Sequence, residues 1–219
     1  MLTEVYQLKQ NLKRKSFRGL ALDIDETLSA TLVHWTKQLQ KKFGNPEGLT
    51  AKEIITKYRY AQGVPYWQTE AAYLYMQKLR EDNALQERLG ILKQADKFIL
   101  QIAKIVPIVA YITVRPESVI PGTKVWLTKH KFPQVPIIAM PKYIRHSEGN
   151  NWKAEVLEYL YPEVQGLIDD NPKIIKALDS HYQGKIYLYD HPQRVRSRIK
   201  VLNCPDWPAV IKKLDGFYK

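Results

Sequence analysis

Two aspartates one residue apart, Asp23 and Asp25, open the run Asp23-Ile24-Asp25-Glu26-Thr27. On one emerging loop such a pair can divide a phosphoryl transfer between an in-line nucleophile and a proton carrier. A second acidic pair, Asp169-Asp170, is followed by Asn171-Pro172. Between the pairs lie Thr113-Val114-Arg115-Pro116 and Lys153. Carboxylates gathered at one point repel each other and call for a cation. Oxygen ligands, with no His/Cys spacing suited to zinc, favour Mg²⁺, which takes one or two carboxylates plus a phosphate oxygen. A threonine hydroxyl, a lysine and backbone N–H groups around such an ion would cradle a phosphoryl group.

For these groups to meet, the elements carrying them must converge. Five short segments read as buried strands: 19–23 (GLALD), 106–112 (VPIVAYI), 135–140 (VPIIAM), 164–168 (VQGLI) and 185–189 (KIYLY). Their apolar residues run on without alternating, as in parallel strands covered on both faces. Helical patterns at 121–130, 152–160 and 171–178 separate the later ones, the last with Asn171 as cap and Pro172 at its first position. Alternating strands and helices predict an α/β fold with a Rossmann-like, doubly wound parallel sheet. In such sheets ligands bind at the carboxyl ends of the strands, where the polar clusters fall.

One spacing is too long for a single crossover. Residues 29–103 read as helical throughout, an insert of about 70 residues by the length of such crossovers. Thr50-Ala51-Lys52-Glu53 is a capping box ahead of Ile54, Ile55 and Tyr58. Trp67, Ala71, Leu74, Tyr75 and Leu79 form one apolar stripe; Leu92, Ala95, Phe98, Ile99 and Ile102 form another. The expected division is a core of residues 1–28 and 104–219 and an all-helical unit of residues 29–103.

Asp23-x-Asp25-x-Thr27, Thr113, Lys153 and Asp169-Asp170, in that order, resemble the four motifs of the haloacid dehalogenase superfamily of aspartate-nucleophile phosphohydrolases. The resemblance spans nearly the whole chain. It implies a Rossmann-like core with a cap inserted between the first and second motifs, here a helical cap of the C1 type. It also implies that Asp23 attacks phosphorus and that Asp25 protonates the leaving alcohol, then deprotonates the hydrolytic water. Mg²⁺ would be held by the Asp23 carboxylate, the Asp25 backbone carbonyl and Asp169, with Asp170 acting through water. Thr113 and Lys153 would bind the phosphoryl oxygens. Lys142, just past the third strand, competes with Lys153; Lys153 is preferred because it opens a helix, capped by Asn151, whose N–H groups serve the same anion. Arg115 would hold Asp25, the loop or the substrate.

The stretches Gly166–Pro172, Leu188-Tyr189-Asp190-His191-Pro192 and Asp206-Trp207 are similar to the 5′(3′)-deoxyribonucleotidase-like branch. Glu26 stands where such nucleotidases often carry glycine. The D-x-D-E-T form also occurs in acid and protein phosphatases, which leaves the substrate class open. Many protein phosphatases of this type lack a large helical cap, so the insert speaks against that class.

The rest of the composition fits a small-molecule hydrolase. The 219 residues carry a net charge of +12, which attracts polyanions but also suits phosphorylated metabolites. Lys13-Arg14-Lys15 and Arg18 are expected at a solvated helix end, and a basic nucleic-acid-binding protein on this scaffold is the reading not favoured. No segment is long and apolar enough to span a membrane, and no signal-peptide core is apparent. The single cysteine, Cys204, is expected to be inert and fits a cytoplasmic setting. Of the insert's aromatics, Trp67 and Tyr75 are expected to pack inside, while Tyr60, Gln62 and Tyr66, beside Gly63, are candidates to meet a base. The expected function is Mg²⁺-dependent hydrolysis of a small soluble phosphomonoester, with a nucleotide as one candidate. Nucleic-acid ends and phosphoproteins are the alternative substrates, and oligomeric state is left open.

Overall fold

The computed structural model describes residues 3–191, 194–214 and 217. Helix α1 (Thr3–Arg14) precedes strand β1 (Gly19–Leu22). Helices α2 (Thr31–Phe43), α3 (Ala51–Tyr58), α4 (Glu70–Glu81), α5 (Asn83–Gln86) and α6 (Ala95–Ile105) then lead to β2 (Ile108–Pro116). The chain continues through α7 (Ile120–Lys129), β3 (Ile137–Met140), α8 (Gly149–Leu160) and β4 (Val164–Asp169). It ends with α9 (Lys173–Ala177), β5 (Lys185–Tyr189), β6 (Lys200–Cys204) and α10 (Trp207–Leu214).

The strands form one parallel sheet in the order β3-β2-β1-β4-β5-β6. This is the expected Rossmann-like α/β architecture with helices on both faces. Order reverses between β1 and β4, the switch point at which such sheets take ligands. The uninterrupted apolar runs have their explanation here. Leu20, Leu22, Tyr187 and Tyr189 enter one core with α6, α7 and α10, while Ala21, Ile186 and Leu188 enter the other with α1 and α8. A Cβ on Gly166 of β4 would lie 2.3 Å from the Lys185 carbonyl oxygen of β5, so only glycine lets these strands pair.

The insert carries a third core of its own: Leu39, Ile54, Ala61, Val64, Trp67, Ala72 and Met76. Thr50 and Glu53 form the expected capping box of α3. The expected stripe through Ala71 and Leu74 does not form: both are exposed, and α4 turns Ala72, Met76 and Leu79 inward. Trp67 belongs to a separate 3₁₀ turn, and Thr69, whose hydroxyl accepts from Ala72 N–H, caps α4 and sets its phase anew. Trp67 is buried as expected, and Tyr75 is half-buried. The boundary at residue 103 cuts through α6, whose Ala95, Ile99 and Ile102 share the sheet core with Leu20 and Leu22.

Further boundaries differ from expectation. β2 runs on to Pro116, which leaves Thr113 inside the strand. β6 was missed, because an edge strand with only its last residue fully buried carries no continuous apolar signal. α8 begins at Gly149, which places Asn151 within its first turn instead of at its cap. α9 opens at Lys173 with Pro172 in the cap position, one residue later than expected, although Asn171 Oδ1 still accepts from Lys173 N–H at 3.1 Å. The Lys13-Arg14-Lys15 cluster is exposed at the carboxyl end of α1, as expected. Asp206 caps α10 through Ala209 N–H at 2.8 Å, and Trp207 stacks on Tyr189 at 4.3 Å. Asp190 turns the chain with φ +45°; Pro192 lies outside the described residues. Burial pushes the Cys204 thiol up to about 12, which leaves it inert. Among the described residues no helix is long and apolar enough to cross a membrane.

Candidate active site

Asp23 follows β1 directly, and its N–H donates to the Ile168 carbonyl of β4 at 2.9 Å. That bond at the switch point sets Asp23 beside Asp169, the last residue of β4. Lys153, in the second turn of α8, lies between them. Its Nζ donates to Asp23 Oδ1 at 2.5 Å and to Asp169 Oδ2 at 2.8 Å, and all three side chains are buried. Asp169 Oδ1 in turn accepts from Asn171 N–H at 2.8 Å. Lys142 is exposed and outside the cavity, so the site lysine by placement is Lys153.

Charge in this cluster is unbalanced. Asp23, Asp169 and Asp170 each present a carboxylate oxygen within 4.8 Å of the others, against the one ammonium of Lys153. Burial, with repulsion from Asp169 and Asp25, outweighs Lys153 and pushes Asp23 up to about 7. Burial and the charges of Asp169, Asp23 and Glu26 likewise raise Asp170 well above the usual carboxylate range. Burial opposes the charge on Lys153, yet the two carboxylates overcome it and raise its pKa. A surplus of clustered carboxylate oxygens fits a hard divalent cation such as Mg²⁺, held by Asp23, Asp169 and Asp170.

Asp25 faces elsewhere. Its carboxylate takes Arg115 Nε at 3.1 Å and Nη2 at 2.7 Å, with further donors from Thr31 at 2.5 Å and Ser29 at 3.3 Å. Burial works against the charge, but the guanidinium and these bonds prevail and hold Asp25 below its ordinary value. Arg115 is itself fixed by Ser29 Oγ at 2.9 Å and Thr123 Oγ1 at 3.1 Å. Of the roles open to Arg115, the structure places it on Asp25. The Asp25 carboxylate stands outside the metal-type cluster, which leaves its backbone carbonyl as the expected ligand. Thr113 is fully buried, its Oγ1 accepting from Arg115 N–H at 3.2 Å, and it is not among the residues lining the cavity.

Glu26 joins the loop after β1 to the insert. Its Oε1 accepts Leu32 N–H at 2.6 Å at the start of α2, and burial pushes its carboxyl up to about 7. Its φ is +55°, the left-handed region that favours glycine.

A cavity of about 170 Å³ opens over Asp23, Asp25, Lys153, Asp169 and Asp170. Tyr60 and Gln62 line it, as offered by the sequence; Tyr66 does not. Sequence reasoning missed Arg80 of α4, and His146 and Asn150 ahead of Lys153. His146 and Asn150 precede Lys153 by seven and three residues, His146 in the 3₁₀ turn that leads into α8 and Asn150 in the first turn of α8. Nothing local marks Arg80, which is brought in by the packing of the insert.

No family model matches the sequence, and no curated protein is similar to it. Among the solved structures similar to the chain is one from Burkholderia xenovorans LB400, described as a haloacid dehalogenase-like hydrolase, at a TM-score of 0.44 and 15% identity. The likeness covers 86% of this chain and 95% of that one.

Proposed function

We propose that the chain is a hydrolase of the haloacid dehalogenase type that cleaves small soluble phosphomonoesters with the help of Mg²⁺. The observation that carries this reading is the meeting of Asp23, Lys153 and Asp169 at the carboxyl ends of adjacent central strands. Asp23 is the nucleophile: its oxygen forms a bond to phosphorus, the ester P–O bond breaks, and the departing oxygen takes a proton from solvent water, because Arg115 holds Asp25 ionised and so against the general-acid role expected from the resemblance. Water then cleaves the aspartyl-phosphate, releasing phosphate and restoring the carboxylate. Lys153 holds Asp23 in place and offsets its charge. A divalent cation bound by Asp23, Asp169 and Asp170 would polarise a phosphoryl oxygen and relieve the repulsion among the carboxylates. Asp25, kept ionised by Arg115, is best set up to take the proton of the attacking water. Thr113 acts from behind the cavity wall by fixing the turn that aims Arg115.

We take the cap as the helices around the third core, with α6 counted in the sheet domain. Tyr60 and Gln62 on the cap wall favour a nucleotide, whereas the volume of the cavity favours a smaller ester. The test is phosphate release with Mg²⁺ across mononucleotides, sugar phosphates, phosphopeptides and 5′-phosphorylated oligonucleotides, by the wild type and by Asp23→Asn. Turnover of a small ester that vanishes in the folded variant is the expected result. Undiminished turnover by Asp23→Asn removes the nucleophile and with it the mechanism.

A further inference from the structure

Three side chains with full positive charge line the cavity among the described residues: Lys153, Arg115 and Arg80. Two of them are committed. Lys153 serves Asp23 and Asp169, and Arg115 serves Asp25, Ser29 and Thr123. Arg80 differs. Its guanidinium makes one bond of 3.4 Å, to the Val114 carbonyl, and no described carboxylate lies within 4 Å of it. It is half-buried, and burial lowers its pKa without bringing it near neutral pH. A charge withdrawn from water without a counter-charge destabilises the fold unless something else compensates. The charges of Glu81 and Asp25 offset this only at longer range and less than burial opposes it, and the group borders the cavity over the nucleophile.

Its height in the cavity follows from α8. Asn150 and Lys153 lie one turn apart on α8, His146 lies in the 3₁₀ turn just before it, and all three line the cavity. Lys153 marks the floor, where Asp23 sits. His146 is exposed and comes before the helix begins, toward the open end. Arg80 is near that level: partial burial and then the Arg80 charge hold His146 below the usual imidazole range. Arg80, which makes no ion pair among the described residues, thus lies toward the outer part of the cavity, while Lys153 is held on the floor by Asp23 and Asp169. The cavity, at about 170 Å³, is below the roughly 300–1,000 Å³ of sites for larger ligands.

We propose that Arg80, with His146 and Asn150 across from it, forms a subsite for a second anionic group of the substrate. The substrate is then a short phosphorylated acid: its phosphoryl group rests against Asp23, and a carboxylate or second phosphate a few carbons away pairs with Arg80. This rests on the hydrolase reading above and narrows it, and it places mononucleotides among the poorer substrates.

The test compares glycerol 3-phosphate, 3-phosphoglycerate and 1,3-propanediol bisphosphate as substrates of the full chain with Mg²⁺, for wild type, Arg80→Gln and Arg80→Lys. The ratio of kcat/KM for either doubly anionic ester over glycerol 3-phosphate is expected to be about tenfold or more, the weight of one charge-assisted hydrogen bond. It should fall to near one in Arg80→Gln and recover in part in Arg80→Lys. Whichever doubly anionic ester has the higher ratio identifies the second group as carboxylate or phosphate. A wild type indifferent to the second anion, or an Arg80→Gln variant that loses all three esters by the same factor, overturns the subsite. If none of the three is hydrolysed by any form, the hydrolase reading fails separately. Calorimetric titration with 3-phosphoglycerate against glycerol 3-phosphate then decides the subsite, since a preference present in wild type and lost in Arg80→Gln supports it and equal binding refutes it.

Discussion

Replacing Lys153 by methionine keeps the volume and apolar stem of the side chain and removes the ammonium that sits between Asp23 and Asp169. Both carboxylates are almost fully buried, at 4% and 0% exposure, and Lys153 at 2% leaves no room for solvent to screen the loss. Breaking a buried ion pair from one side costs about 3–5 kcal/mol, because the remaining charge is left without compensation. Two abandoned carboxylates put Lys153→Met at the upper end of that range. For a chain of this size each kcal/mol moves the melting temperature by roughly 2–4 °C, so a fall of about 10–20 °C is expected at pH 8 with chelator present. The deficit should shrink as the pH is lowered, because without the ammonium Asp23 is more readily protonated, and a protonated carboxyl no longer needs a cation. It should shrink also on adding Mg²⁺, which supplies positive charge to the same oxygens. Thermal and urea unfolding of the purified variant, with and without chelator, measure all three effects. A Lys153→Met protein within about 1 kcal/mol of wild type at pH 8 in chelator would refute the reasoning, since an unpaired buried cluster cannot be that inexpensive.

Two further outcomes follow from the same electrostatics. In the metal-free protein Asp23 and Glu26 are pushed up to about 7, so between about pH 4 and 7 the folded state binds protons that the unfolded chain has released. Their contribution to stability therefore falls as pH rises through that window, and the urea midpoint in chelator should be higher at pH 5 than at pH 8; the reverse order contradicts the burial of these groups. Removing the Arg115 charge frees Asp25 from the group that holds it down, so in Arg115→Gln the limb of the kcat–pH profile that needs ionised Asp25 should move up by about one to three units. A variant whose profile does not move assigns that limb to another residue.

The parts of the fold legible in the sequence are those governed by local pattern. The strand segment Gly19–Leu22 announces itself as an unbroken apolar run, and Thr50 with Glu53 announces the start of α3, because both signals are complete within a few residues. Where the signal depends on what packs against a segment, it fails. β6 is half exposed at the sheet edge and reads as loop; the buried face of α4 is chosen by the insert's own core and not by its most apolar stripe. The extension of β2 to Pro116 is likewise a property of its pairing with β3, where Pro116 lies opposite Met140.

At the site, the residue types and their order along the chain already specified carboxylates, a lysine and a need for positive charge, because those demands are chemical and belong to the side chains themselves. Tertiary structure decided which charge answers which. Lys153 and Asp23 are 130 positions apart and Arg115 and Asp25 are 90 apart, yet each pair is in direct contact because parallel strands deliver their carboxyl ends to one edge. It also withdrew Thr113 into the wall and brought Arg80 to the cavity from a helix with no local mark of function. The strength of a charge pair depends on distance and on exclusion of water, and both are set only when the chain has closed around it.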